Sequence, residues 1–385
     1  MRDAVICAAV RTPVGKRGGG LSGVHAADLS AAVLTALVER TGLDPAVVDD
    51  VFWGCVSQVG EQTYNIGRVA ALAAGWPESV PGTTIDRQCG SSQQAVAFAA
   101  AAVVSGQADV VVAGGIESMS REPMGSSTGD GTSGRPLGPA FLARYGGVAP
   151  NQGVGAEMIA ARWGFSRSQL DEFALRSHEL AAKAQADGAF DEQIVPVTTE
   201  AGVVSADEGI RTGGTLEKLA ALKTPFQADG VISAGNASQI SDGSAALLVT
   251  TSDRARELGL TPIVRVHTTV VAGDDPVIML TAPIPATRKL LQRSGVPLEE
   301  IGVFEVNEAF APVPLAWQHD LGADPDRVNP LGGAIALGHP LGASGARIMT
   351  TLVHHMQATG TRYGLQTMCE GGGMANATLL ELLPR

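Results

Sequence analysis

Cys89 sits in the run Asp86-Arg-Gln-Cys-Gly-Ser-Ser-Gln-Gln-Ala95, between a short β-branched stretch and an Ala-rich one. A thiol at the mouth of a helix feels the positive end of the helix dipole, which favours the thiolate. The glycine and serines beside it let backbone N–H groups approach a carbonyl oxygen. That is the setting of an activated nucleophile, and also of a small residue buried at a tight turn. His339 lies in Gly332-Gly-Ala-Ile-Ala-Leu-Gly-His-Pro340. A histidine between Gly338 and Pro340 is held stiffly, and a pKa near neutral suits a general base; a turn-bound histidine is the alternative.

Cys369 lies at the end of an expected strand and precedes Glu370 and three glycines (MCEGGGM). Such glycines can offer N–H donors to an oxyanion. Asn307-Glu308-Ala-Phe310 follows the apolar strand VFEV and is either a helix cap or a site. Small residues dominate Ala234–Ser238 and Ser241–Ser244, consistent with a slot for a thin chain or with turns. Cys7 and Cys55 lie in apolar runs and read as core, and none of the 4 cysteines forms a C-x-x-C pair. His354 and His355 are adjacent on a predicted helix and read as surface or packing residues. No G-x-x-x-x-G-K-[ST] loop and no G-x-G-x-x-G fingerprint appears, so a nucleotide, nicotinamide or flavin is not supported.

Short β-branched runs alternate with Ala-rich helical stretches, which predicts an α/β fold with a buried sheet. Strands are expected at 5–8, 50–53, 83–85, 110–113, 245–250, 263–271, 303–306, 365–369 and 377–381. Helices are expected at 27–39, 65–74, 91–104, 285–294, 309–319 and 344–359. The stretch 119–240 is rich in Gly, Ser, Pro and charge. It holds one clear helix, 168–187, read as capped by Ser168 with Asp171, and reads as an inserted subdomain. The flanking halves share a plan: a polar loop feeds a helix, then a strand ends in glycines (VVVAGGIESM; LQTMCEGGGM). Two such halves would meet face to face with their Gly-rich loops at one edge.

Composition narrows the function. At 385 residues, two or three domains are expected. The chain is 45% hydrophobic and 17% charged, which excludes a disordered protein. A net charge of −12 argues against nucleic-acid binding. The longest strictly apolar run, 95–104, is half a membrane span, so no membrane segment is expected. Asp3 interrupts the first apolar run, so the start reads as a buried strand and not a signal peptide. With few cysteines, a reducing cytoplasm is the default expectation.

Taken together, these motifs closely resemble the thiolase family of acetyl-CoA acyltransferases and acetyltransferases, degradative 3-ketoacyl-CoA type. The likeness runs from RTPVGKRGG to MCEGGG. It implies a five-layer αβαβα core of two similar halves with an inserted loop domain: 1–118 and 241–262, then 119–240 as the insertion, then 263–385. It implies Cys89 as nucleophile, His339 as its activator and Cys369 as acid/base. Asn307 would hold an oxyanion-hole water beside His339, and the N–H groups of Cys89 and Gly371 would form a second hole. Arg211, Phe226, Ser238 and Phe310 would contact coenzyme A, which is a co-substrate; no permanently bound cofactor or metal is implied. A homodimer or homotetramer is expected.

Two departures from the family pattern stand out. Ser92 replaces a usual glycine. Asn151-Gln152-Gly153 stands where acetoacetyl-specific biosynthetic relatives carry His-Met-Gly. The latter favours a bulkier 3-ketoacyl group over acetoacetyl-CoA. DRQCGSSQQA and MCEGGG also resemble actinobacterial thiolases of steroid or other ring breakdown. A ketoacyl synthase is the rival enzyme, but relatives of that type pair the cysteine with two histidines or with His and Asn. A silent acyl-CoA binding protein is the rival of another class, and pure binding would not need two thiols.

Overall fold

Period-2 burial organises the sheet. In the computed structural model, which describes residues 2–129, 132 and 134–384, alternate residues of each central strand enter different apolar clusters. Val110 and Val112 pack with the helices Ala26–Thr41 and Ile66–Ala73, whereas Val111 and Ala113 pack with Ser91–Ser105 and Ser344–Thr359. Ala246 and Leu248 follow the first set, and Ala245, Leu247 and Val249 the second. A strand buried on both faces reads as a continuous hydrophobic run, which is how these segments read.

The strands are β1 (Val5–Arg11), β2 (Gly15–Lys16), β3 (Asp50–Gly54), β4 (Thr83–Ile85), β5 (Val110–Ser118), β6 (Val197–Thr199), β7 (Gly202–Val204), β8 (Ser241–Thr250), β9 (Val264–Gly273), β10 (Val303–Val306), β11 (Tyr363–Glu370) and β12 (Met374–Leu382). The large sheet runs β10-β11-β12-β9-β1-β8-β5-β3-β4, with β2 beside β8. β6 and β7 form a separate hairpin.

Two blocks share one pattern. β3 runs parallel to β5, which is antiparallel to β8, which is antiparallel to β1. β10 runs parallel to β11, which is antiparallel to β12, which is antiparallel to β9. The blocks join where β1 meets β9, through Val5↔Arg265 and Ile6↔Val264. The helices Ser91–Ser105 and Ser344–Thr359 lie between the blocks, in one cluster with residues of both. The helix Pro283–Ser294 and Trp317 cover the far face of the second block. Helix, sheet, helices, sheet, helix is the αβαβα layering expected from the sequence.

Several boundaries differ from expectation. β8 begins at Ser241 because its polar start is hydrogen-bonded: Asp242 Oδ1 accepts from Ser120 N at 2.8 Å, and Ser244 Oγ donates to Gly115 O at 2.8 Å. β5 runs on through Gly114 and Gly115 to Ser118; a Cβ on Gly115 would lie 2.4 Å from Gly342 O. The helix expected at 168–187 is Arg167–Ala186. Ser166, not Ser168, caps it, in a box with Gln169 and not Asp171. The helix expected from 309 starts at Pro312, where proline's missing N–H costs nothing. The helices Pro139–Arg144, Gln152–Trp163, Leu216–Ala220 and Ser252–Glu257 were not read from sequence. No helix among the described residues is long and apolar enough to cross a membrane.

Candidate active site

Cys89 is presented by a tight turn. Asp86 Oδ1 accepts from Gln88 N at 2.7 Å, and Ser91 Oγ donates to Gln88 O at 2.6 Å. Gln88 is held at φ 49°, an unusual conformation for a residue with a side chain. The turn opens the helix Ser91–Ser105, with Gly90 at its N-cap. The backbone N–H groups of Cys89 itself and of Gly371 act on the Cys89 sulfur and pull its pKa down. These are the two donors that the family resemblance implies for the second oxyanion hole.

The helix dipole does not win at Cys89. Burial, with the charge of Glu370 behind it, pushes the thiol up to about 12. The resting group is a thiol, because desolvation outweighs the dipole and both N–H donors. Cys369 is fully buried at the end of β11. Burial, then the neighbouring Cys89, raises its pKa well above the usual thiol range. The turn after it needs glycine: Gly372 and Gly373 sit at φ 85° and 77°. Gly371 abuts Gln88, whose Oε1 would lie 2.9 Å from a Cβ there.

His339 is the most constrained group. Its Nδ1 lies 2.6 Å from Ser344 Oγ, and that hydroxyl donates its one proton to Pro340 O at 2.8 Å. Ser344 must therefore accept from Nδ1–H, which puts the imidazole lone pair on Nε2. Asn307 Nδ2 lies 3.4 Å from Nε2, while Asn307 Oδ1 is buried without a partner. Burial, and secondly Arg347, push the imidazole down to about 3. His339 is thus neutral, and Nε2, which faces Asn307, is its proton acceptor. No hydrogen bond joins Cys89 to His339 among the described residues; such contacts are often long before substrate binds.

The helix that follows His339 is tied to the helix that follows Cys89. Ala346 N donates to Ser92 Oγ at 2.9 Å, so Ser92, the departure from the family pattern, bridges the two central helices. Glu117, buried at the end of β5, accepts from Gly342 N at 2.8 Å, Val56 N, Ser57 N and Gln62 Nε2. Asn307 N donates to Thr367 O at 3.1 Å, continuing the β10–β11 ladder. Glu308 is a scaffold: it accepts from Ser177 Oγ at 2.6 Å, Asn329 Nδ2 at 3.0 Å and Ile335 N at 3.1 Å. Sequence reasoning missed Ser344, Glu117 and Glu370. The one available signal was a carboxyl at each glycine-rich strand end, in GGIES and CEGGG.

A second patch gathers most of the residues assigned to coenzyme A. Phe226 meets Phe310 edge-on, with ring centroids 6.1 Å apart. Ser238 N donates to Ala309 O at 2.9 Å. Asn151 is the N-cap of Gln152–Trp163, and a Cβ on Gly153 would lie 2.2 Å from Phe226 Cδ1. Phe310 also shares an apolar cluster with Cys369 and Met279, which links the patch to the thiols. Arg211 is exposed, and its N–H donates to His178 Nδ1 at 3.1 Å. No hydrogen bond or ring contact joins Arg211 to the phenylalanines among the described residues. No group of three or more His, Cys, Asp or Glu among them could hold a metal ion.

Comparison with known proteins identifies the family. The family model "Thiolase, N-terminal domain" matches residues 4–253, and "Thiolase, C-terminal domain" matches residues 260–382. The chain is 49% identical to "Steroid 3-ketoacyl-CoA thiolase FadA6" of Mycobacterium tuberculosis, over 100% of this chain and 95% of the relative. It is 45% identical to "3-oxoadipyl-CoA/3-oxo-5,6-dehydrosuberyl-CoA thiolase" of Escherichia coli K12, over 99% of this chain and 100% of the relative. The crystal structure of the Bacillus anthracis acetyl-CoA acetyltransferase superposes with a TM-score of 0.91 at 40% identity, covering 100% of this chain and 99% of that one.

Proposed function

The chain belongs to the thiolase family, and from that premise we propose how its own residues cleave 3-ketoacyl-CoA with coenzyme A, giving acetyl-CoA and a shortened acyl-CoA. The enzyme is an acyltransferase. The observations that support the assignment of roles are a neutral His339, its lone pair on Nε2 beside Asn307, and two thiols that act on each other.

His339 Nε2 takes the Cys89 proton as the sulfur attacks the 3-keto carbon. The C2–C3 bond breaks, and its electron pair becomes the enolate of acetyl-CoA. Nε2–H, now protonated, and a water held by Asn307 stabilise the enolate oxygen. Cys369 gives its proton to the enolate carbon and is left as the thiolate. It then takes the proton of an incoming coenzyme A, whose sulfur attacks the acyl–Cys89 thioester. Cys89 leaves and recovers its proton from His339. The N–H groups of Cys89 and Gly371 stabilise the thioester oxygen through both halves. Run backward, the sequence is a Claisen condensation.

Coenzyme A would lie along Phe226, Phe310 and Ser238, with Arg211 meeting its phosphates. The chain divides into 1–118 with 241–262, the insertion 119–240, and 263–385. Its acyl substrate is a bulky or ring-derived 3-ketoacyl group. Asn151-Gln152-Gly153 and the steroid and oxoadipyl substrates in the relatives' names support this reading. A homo-oligomer is favoured by the edge strand β4 and by Phe98, 46% exposed on the helix Ser91–Ser105. A cytoplasmic location is favoured by free Cys7, Cys55, Cys89 and Cys369. The test of substrate is a steady-state comparison of acetoacetyl-CoA with longer and cyclic 3-ketoacyl-CoA. A higher kcat/KM for the bulky substrates is expected, and a clear preference for acetoacetyl-CoA would overturn the reading.

A further inference from the structure

Glu370 follows Cys369 directly, yet the chemistry above does not use it. Its side chain is fully buried, and neither carboxyl oxygen has a partner. It faces the central helices, on the same side of β11 as Gln366, and it abuts the turn that carries Cys89. A Cβ on Gly90 would lie 1.9 Å from Glu370 Oε1 and 3.0 Å from Asn376 Nδ2. Gly90 is thus the residue that leaves room for this carboxyl behind the nucleophile. An unpaired buried carboxyl is costly and needs a reason.

The groups facing it can be named element by element. From the turn before the helix come Asp86, Arg87 and Cys89. From β11 comes Cys369, and from β12 the neutral Met374 and Asn376. Arg87 makes no ion pair with Glu370 among the described residues; its Nη1 reaches Met374 Sδ at 4.0 Å and its Nε has no partner. Asn376 Oδ1 is also unpartnered. Burial pushes the carboxyl up to about 8, with Arg87 pulling it down and Asp86 pushing it further up. Among the charges acting on Cys89, Glu370 stands before Glu117.

We propose that Glu370 is a positioning residue for Cys89: as a neutral acid it forms the wall behind the nucleophile, and as a carboxylate it withholds the thiolate. The proposal rests on Cys89 being the nucleophile. The sign follows from like charge. A carboxylate beside the sulfur disfavours the thiolate, so ionising Glu370 raises the Cys89 pKa further. Cys89 reactivity should therefore climb less steeply above pH 8 than an ordinary thiol's.

The test is alkylation of the full-length protein by iodoacetamide from pH 6 to 10, with the labelled peptide identified by mass spectrometry. Wild type is compared with Glu370→Gln, which keeps the shape and removes the charge. Glu370→Met is a second neutral variant, and melting curves confirm that each is folded. Cys89 of the three proteins should react alike at pH 6.5, where Glu370 is neutral. At pH 9.5 the neutral variants should react about fivefold faster or more, since one pKa unit of coupling is tenfold in thiolate. Wild-type and variant profiles that run parallel at every pH would overturn the proposal and leave Cys89 as nucleophile. Preferential labelling of a different cysteine would instead overturn the assignment on which it rests.

Discussion

Ser344 fixes the direction of His339: its hydroxyl sits 2.6 Å from Nδ1 and spends its own proton on Pro340 O. The imidazole therefore keeps its hydrogen on the helix side and its lone pair toward Asn307. Ser344→Ala removes that restraint and leaves a buried N–H without a partner. We expect kcat to fall by about ten- to a hundredfold, within the range of general-base effects, with KM nearly unchanged. Steady-state kinetics with a 3-ketoacyl-CoA decide it, and an unchanged kcat would remove Ser344 from the account.

Asn307 acts on the other nitrogen. Asn307→Ala takes away the support of one oxyanion donor, a loss of about 2.7–4 kcal/mol in comparable sites. Turnover should slow by about a hundredfold or more while substrate still binds. A variant within twofold of wild type, on the order of normal assay scatter, would mean that the enolate is stabilised elsewhere.

Gly153 is tied to Phe226 by space. Gly153→Ala would place a Cβ 2.2 Å from the ring, so Phe226 must swing away from Phe310. Overpacking of this kind costs about 1–3 kcal/mol. If Phe226 contacts coenzyme A, the KM for coenzyme A should rise about tenfold while kcat changes little. A fall in kcat with KM constant would place Phe226 outside the cofactor's path.

Glu305 offers a test by pH. It is buried, 2% exposed, and burial pushes its carboxyl up to about 8 against the pull of Arg347. A folded-state pKa above the unfolded one means that its contribution is fully present below pH 4.5 and is lost as pH rises through about 8. Glu305→Gln is neutral throughout. Relative to wild type its melting temperature should therefore improve from pH 5 and level off above about pH 8. A difference that is constant across that range would show that the fold does not raise the Glu305 pKa.

Much of this was legible in the sequence, for identifiable reasons. Buried strands such as Val110–Ala113 announce themselves through β-branched runs, and the glycine runs mark the close approaches of Gly115 and Gly371. What stayed hidden is what depends on distant partners. Ser241–Ser244 looked like a turn because its polar groups are satisfied from β5, across more than 100 residues of chain. Ser166 was passed over as a cap because Ser168 lay nearby with its own acidic partner. The balance of effects at Cys89 was hidden because the dipole is local and readable, whereas burial and the placement of Glu370 come from tertiary packing. Ser344 was invisible as a partner of His339, since only the turn at Pro340 brings them together.

The central claim is that Cys89 carries the acyl group. The most direct measurement is to mix the enzyme with a 3-ketoacyl-CoA in the absence of free coenzyme A, quench in acid and map the peptides by mass spectrometry. The account predicts a shortened acyl thioester on the peptide containing Cys89, absent from Cys89→Ala, which should also have lost thiolysis. An acyl adduct on another residue, or a Cys89→Ala protein that still cleaves its substrate, would contradict it.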